Sequence, residues 1–161
     1  MGGGDALSVR DATRADHDAL CALWRVMDEL HARLHPGWFR RRGGPRPRSE
    51  LERILRASDE RLRVAEEDGA VVGLCHLQLY DTPPIPWMTP SRRAHLDSLV
   101  VDTGARRRGV GRRLLDDAAA WARGRGAGEL VLTVWDGNED AARFYASLGF
   151  APVNSVLGRP L

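Results

Sequence analysis

The chain has 161 residues and a mass of 17.8 kDa, which suits one compact domain whose core needs neither disulfide nor metal. Its 24 basic residues against 22 acidic ones leave a net charge of +2, too small on its own to imply nucleic-acid binding. Every basic residue is arginine, so a lysine nucleophile, a lysine Schiff base and a Walker-type phosphate lysine are all excluded.

Cys21 and Cys75 lie far apart in apolar surroundings, which favours two buried free thiols over a disulfide. The five histidines, His17, His31, His35, His76 and His95, form no zinc-site spacing, so no metal is expected. No apolar run approaches the ~20 residues of a membrane span. Residues 1–5 show neither a basic region nor an apolar core of the signal-peptide kind. The expectation is a soluble cytoplasmic protein.

Taken in chain order, residues 7–10 read as a short strand. Residues 15–34 read as a helix, with Leu20, Leu23, Trp24, Met27, Leu30 and Leu34 at helical spacing. Residues 35–48, rich in Gly, Pro and Arg, read as a loop. Ser49 and Glu52 have the spacing of a capping box, opening a short helix with Leu51, Ile54 and Leu55 inward. Strands at 61–67 and 70–80 flank the turn pair Asp68-Gly69. A Pro-rich loop at 81–90 precedes a strand at 94–101. A helix follows at 110–123, with Gly124 as its stop. Residues 129–135 read as a strand, 138–148 as a helix ended by Gly149, and 150–160 as a last strand or two. The order argues an α/β layered domain with a mixed sheet, spanning 1–161 as a single unit.

The chemistry points first to residues 96–115. A buried strand runs into Arg106, Arg107, Arg108, Gly109, Val110, Gly111 and Arg112, which open an amphipathic helix. A helix start offers unpaired N–H groups and a partial positive charge. Glycines let a ligand approach the backbone closely, and arginine forks match phosphate oxygens. The pattern is an anion cradle. Neither the Rossmann GxGxxG nor the Walker A pattern fits. Further on, Asn138 is placed to cap a helix that carries Phe144 and Tyr145, and Gly149 closes it.

In this order and spacing, Arg106-x-x-Gly109-x-Gly111 and Asn138-x-x-Ala141-x-x-Phe144-Tyr145-x-x-x-Gly149-Phe150 resemble the two motifs of the GCN5-related N-acetyltransferase (GNAT) superfamily. The resemblance covers nearly the whole chain. It implies a mixed sheet of six to seven strands flanked by about four helices. It also implies transfer of an acetyl group from acetyl-CoA, as cosubstrate, to a primary amine of a small molecule or a peptide N-terminus. Backbone groups of Leu99, Val100 and Val101 would pair with the pantetheine arm. The backbone from Arg106 to Arg112 would wrap the pyrophosphate. Asn138 would bond the arm, and Tyr145 would sit beside the thioester sulfur. Homodimers are common in such a family.

An ammonium with a pKa near ~10.4 must lose a proton before it attacks. Asp97 is the candidate base, on a strand where residues 95, 97, 99 and 101 are expected to share one face. A structural role, or electrostatic attraction of the substrate cation, are its alternative roles, and His95 is the second candidate base. Proton transfer from Tyr145 to a thiolate is uphill by ~1.5 pH units, about 2 kcal/mol. The acceptor site is implied at the loops 31–48 and 80–93. There Trp38, Phe39, Trp87 and Met88 line a pocket, form a dimer contact or pack beneath the loops. Arg40, Arg41, Arg42, Arg46 and Arg48 would repel a polycation if they faced it. Two other classes are a non-catalytic acetyl-CoA sensor on the same fold and a nucleic-acid module; the low charge and few interleaved aromatics argue against nucleic acid.

Overall fold

A computed structural model describes residues 7–40 and 44–161. The elements run β1 (Ser8–Asp11), α1 (His17–Leu34), α2 (Arg48–Arg56), β2 (Glu60–Glu67), β3 (Ala70–Asp81), β4 (Arg92–Val101), α3 (Val110–Gly124), β5 (Glu129–Leu132) and α4 (Glu139–Ser147). The sheet order is β1-β2-β3-β4-β5. The first four strands pair antiparallel, and β5 lies parallel to β4. Parallel neighbours need a crossover, and α3 supplies it.

Alternation along β3 sorts its side chains onto two faces. Cys75, Leu77 and Leu79 join Ala94 and Leu96 of β4 beneath Val110, Leu114, Leu115 and Ala118 of α3. Leu74 joins Leu62, Val64 and Val100 on the other face, beneath Leu20, Leu23 and Trp24 of α1 and Leu51 and Ile54 of α2. Helices therefore cover both faces, the mixed α/β architecture read from the sequence. Among the described residues, no helix is long and apolar enough to cross a membrane.

Local differences from the sequence reading have local causes. The α2 start is not capped by Ser49, which lies inside the first turn. Pro47 is the cap residue instead, extended at φ −66°, and its carbonyl accepts from the N–H of Glu50 at 3.0 Å. A capping box does form upstream, between Thr13 and Asp16, and Arg10 clamps that carboxylate with two bonds of 2.9 Å. Helix α3 continues through Gly124, and Gly126, at φ +84°, takes the left-handed position beyond its end. The β2–β3 turn has both Asp68 and Gly69 at positive φ, as a two-residue hairpin requires.

Among the described residues the sheet has five strands rather than six or seven. Strand β5 stops at Leu132, short of Trp135. Residues 150–161 form no strand, and residues 151–161 are exposed. Pro152 and Pro160 cannot donate to a ladder, and Val153, Val156, Leu157 and Leu161 stand in solvent.

Candidate active site

The β4–β5 register ends where Leu96 faces Leu132. From Asp97 to Val101, β4 has no strand partner on its β5 side among the described residues, so the two parallel strands part at their C-terminal ends. The backbone of Leu99, Val100 and Val101 borders this gap.

Beyond the gap, Asp102 Oδ2 accepts from the N–H of Gly104 at 2.9 Å and turns the chain toward α3. Arg107 and Gly109 both take left-handed backbone angles, at φ +61° and +83°. That conformation suits glycine and strains arginine. The first α3 bond runs from the N–H of Arg113 to the carbonyl of Gly109 at 3.0 Å. The N–H groups of Val110, Gly111 and Arg112 therefore have no acceptor within the helix. They lie at the positive end of its dipole.

Two glycines set where this helix start sits. A Cβ on Gly73 of β3 would stand 3.0 Å from Leu114 Cδ1, 3.1 Å from the Val100 carbonyl oxygen and 3.2 Å from Val110 Cγ1. A Cβ on Gly111 would stand 3.4 Å from Phe144 Cζ and 3.5 Å from Val101 Cγ2, so α4 lies against the α3 start. The loop arginines divide. Arg106 Nε donates to the Val101 carbonyl at 3.2 Å, and Arg108 pairs with Glu67 at 2.5 Å. Arg112 approaches Asp116 only at 3.9 Å, and Arg107 makes no ion pair among the described residues.

On α4, Asn138 Oδ1 accepts from the N–H of Ala141 at 3.3 Å. The cap uses the oxygen and leaves the side-chain NH₂ without a partner among the described residues. Tyr145 packs between Phe144 and Phe150, with ring centroids 5.2 and 5.5 Å away, on the α3 side of the sheet. Burial pushes its phenol well above the usual tyrosine range.

The β4 face assignment differs from the sequence reading. His76 of β3 faces Ser98, while Leu77 faces Leu96, so Asp97 is the extra residue of a β-bulge. Leu99 and Val101 turn to the α3 side. Asp97 and Ser98 both turn to the α1 side, where Trp24 Nε1 donates to Ser98 Oγ at 3.3 Å. Asp97 Oδ2 lies 3.3 Å from His76 Nδ1, and His76 Nε2 lies 2.8 Å from Glu60 Oε2. Arg53 pairs with Glu60 and, at 3.0 Å, with Glu50. These groups, with Trp24, Arg46 and Gln78, line a cavity of about 200 Å³.

The hydrogen bond from His76 holds the Asp97 carboxyl below its usual range, against the opposing effect of burial. Burial pushes Glu60 up, but its bonds to Arg53 and His76 prevail and lower it. Burial pushes the His76 imidazole down, and its bonds to Asp97 and Glu60 together raise it above the ordinary value. His95 faces Gln78 and Val131 across the sheet and acts on Asp97 through its charge alone.

Sequence reasoning missed His76 and Glu60. The available signal was a histidine at an inward position of an otherwise apolar strand. The loop arginines also read differently in place. Arg46 lies over the Trp24 ring at 4.7 Å and binds Asp28 at 3.0 Å, and Arg48 binds Asp18 at 3.3 Å. Acids on α1 thus neutralise two of the five; Arg41 and Arg42 lie outside the described residues. Phe39 meets Trp135 edge-on at 4.8 Å, and Trp38 meets it at 5.5 Å, which ties the α1–α2 loop to the segment after β5. Cys21 and Cys75 are both free thiols.

The acetyltransferase (GNAT) family model matches residues 24–150. The chain is 32% identical over 145 residues to an aminoglycoside N(6')-acetyltransferase type 1 of Serratia marcescens, a match covering 88% of this chain and 92% of that one. Among solved structures, a tetramutant of a Bacillus halodurans protein superposes with a TM-score of 0.90 at 25% identity, covering 96% of this chain and 99% of that one. An aminoglycoside N-acetyltransferase in complex with CoA superposes at 0.73 and 17% identity, covering 96% and 98%, a likeness of fold. A family match spanning most of the chain, beside a relative of this identity and coverage, carries membership: the chain belongs to the GNAT family of acetyltransferases, and it is an N-acetyltransferase.

Proposed function

We propose that this N-acetyltransferase, with residues 1–161 as one domain, takes its acetyl group from acetyl-CoA and passes it directly to a primary amine of a small molecule. One observation carries the reading. Past the end of the β4–β5 register, Val101 lies against Gly111 at the start of α3, whose first N–H groups have no acceptor within the helix. A pantetheine arm fits the gap between β4 and β5 as an added strand, and a pyrophosphate fits such a helix start.

On this reading, the backbone of Leu99, Val100 and Val101 holds the arm, and the free NH₂ of Asn138 donates to it. The N–H groups of Val110, Gly111 and Arg112, with the Arg107 and Arg112 guanidinium groups, hold the phosphates. Gly109 supplies the left-handed turn before the helix. Arg106 and Arg108 brace the loop through Val101 and Glu67. Asp97 meets the acceptor from the opposite side of the sheet, attracts its ammonium and takes its proton. Tyr145 donates its O–H to the thioester sulfur as negative charge develops there. Its raised pKa makes complete proton transfer costlier than the ~1.5 pH units separating free tyrosine from a thiol, so the proton stays on Tyr145.

The cavity beside Asp97 suits a cationic acceptor. Glu50, Glu60 and Asp97 face one guanidinium not neutralised from outside the cavity, Arg53, because Asp28 already neutralises Arg46. The Serratia relative is named for acting on aminoglycosides. Aminoglycosides therefore lead the acceptor panel, with simple amines, amino acids and peptide N-termini behind them. Coenzyme A release is measured across that panel, with mass spectrometry of the products. Amine-dependent release with an N-acetylated product supports the reading. Acetyl-CoA binding without turnover of any amine would replace it with a non-catalytic sensor.

A further inference from the structure

Asp97 does not stand alone. A row of alternating charge runs Glu50, Arg53, Glu60, His76, Asp97 from α2 across β2 and β3 to the β4 bulge. Its middle is buried and its Asp97 end is open. The Glu60 side chain is 5% exposed and that of His76 9%, whereas that of Asp97 is 58% exposed. An imidazole serving only to fill a core needs one partner. His76 has a carboxylate at each nitrogen, and one of these opens into the cavity.

We propose that His76 stores the proton of the acceptor amine, received through Asp97, and that Glu60 fixes the imidazole for this task. The proposal rests on the acetyl-transfer reading above. Neutral His76 carries its proton on Nε2 and donates it to Glu60. Its Nδ1 lone pair then faces Asp97 Oδ2. The substrate N–H bond breaks as Oδ2 takes the proton and hands it to Nδ1. The electron pair left on the amine nitrogen attacks the thioester carbonyl, the carbon–sulfur bond breaks, and coenzyme A leaves as a thiolate that takes the second proton shed by the nitrogen. The product is an imidazolium held between two carboxylates, which returns its proton to water through the cavity once the amide departs. His76 is a positioning residue that acts through Asp97. The charged groups facing it are Glu60 from β2, Asp97 from β4, Glu50 and Arg53 from α2, and Arg46 from the loop before α2. On the α1 side, uncharged Trp24 closes the site, and His95 acts through Asp97.

The test is the pH profile of kcat/KM for the best amine of the panel, on the wild type, His76→Gln and Glu60→Gln. An NMR titration of the His76 ring in the full chain accompanies it. The wild-type acidic limb is expected to coincide with the His76 titration, above the ordinary imidazole value rather than in the carboxylate range. In His76→Gln that limb disappears, and kcat/KM at the optimum falls about ten-fold or more while acetyl-CoA affinity holds. Glu60→Gln removes a charge that favours the imidazolium and moves the limb to lower pH by about one unit. A His76→Gln profile with its limb unmoved overturns the relay. If neither variant folds, a His76 ring that titrates away from the wild-type limb overturns it equally. Absence of wild-type turnover with every amine is a separate result and removes the acetyl-transfer reading itself.

Discussion

Replacing Tyr145 with phenylalanine removes one oxygen and, among the described residues, no hydrogen bond. The ring keeps its contacts with Phe144 and Phe150, so stability is expected to change by less than about 0.5 kcal/mol. In the proposed mechanism the O–H serves only the sulfur that becomes negative as the carbon–sulfur bond breaks. A hydrogen bond to a charged partner contributes about 1.5–3 kcal/mol. Lost from the transition state alone, that lowers kcat by roughly 10- to 150-fold. The KM for acetyl-CoA should hardly move, because the arm and the phosphates are held elsewhere. The assay is steady-state coenzyme A release for wild type and Tyr145→Phe, with a thermal melt as the folding control. An unchanged kcat in a folded variant refutes the role given to Tyr145. A loss confined to KM would make it a binding residue instead.

Asp97→Asn keeps the bulge and loses the proton acceptor, so kcat should fall about ten-fold or more at every pH while acetyl-CoA affinity holds; a variant with full activity removes Asp97 from the proton path. Gly73→Val forces side-chain atoms against the Val100 carbonyl, which cannot yield as Leu114 can. It should cost about 1–3 kcal/mol, lower the Tm and raise the KM for acetyl-CoA by displacing the α3 start. The row of charges also sets a stability window. Asp97 and Glu60 are lowered from 3.8 and 4.5, so their contribution is present above those values and lost as pH falls through the folded ones. His76 is raised above 6.5, so its contribution is full below that pH and lost as pH rises through its folded value. The Tm difference between wild type and His76→Gln should peak between about pH 4.5 and 6.5 and shrink above. A difference that grows steadily toward alkaline pH contradicts this.

The α3 start was legible because its signal is local. Glycine at 109 and 111 among arginines at 106, 107, 108 and 112 marks a loop running into a helix start, whatever the rest of the chain does. The order of the elements and the two-sided core followed from periodicity in the same way. The bulge at Asp97 was not legible, because it depends on how β4 registers against His76 and Leu77 of a distant strand. That single extra residue turned Leu99 and Val101 to the face opposite Asp97, where strict alternation had placed all three together. The partners of His76 were hidden for the same reason, since Glu60 and Asp97 reach it only through pairing across three strands. Ser49 misled because the carbonyl of Pro47 already serves the first turn of α2. The expected strand at 150–160 had apolar residues in number, but its prolines and the short β5 left it without a ladder.

Direct transfer from acetyl-CoA to an amine leaves no acetyl group on the protein, and the composition makes that readily measured. The chain has no lysine to acylate, and burial holds the Cys75 thiol un-ionised. Incubation with acetyl-labelled acetyl-CoA, with and without the preferred amine, follows the label by mass spectrometry of both protein and products. Direct transfer puts the label in the N-acetylated amine, formed only when the amine is present, and leaves none retained on the protein. Label that accumulates on the protein without amine, or that reaches no amine in the panel, contradicts it.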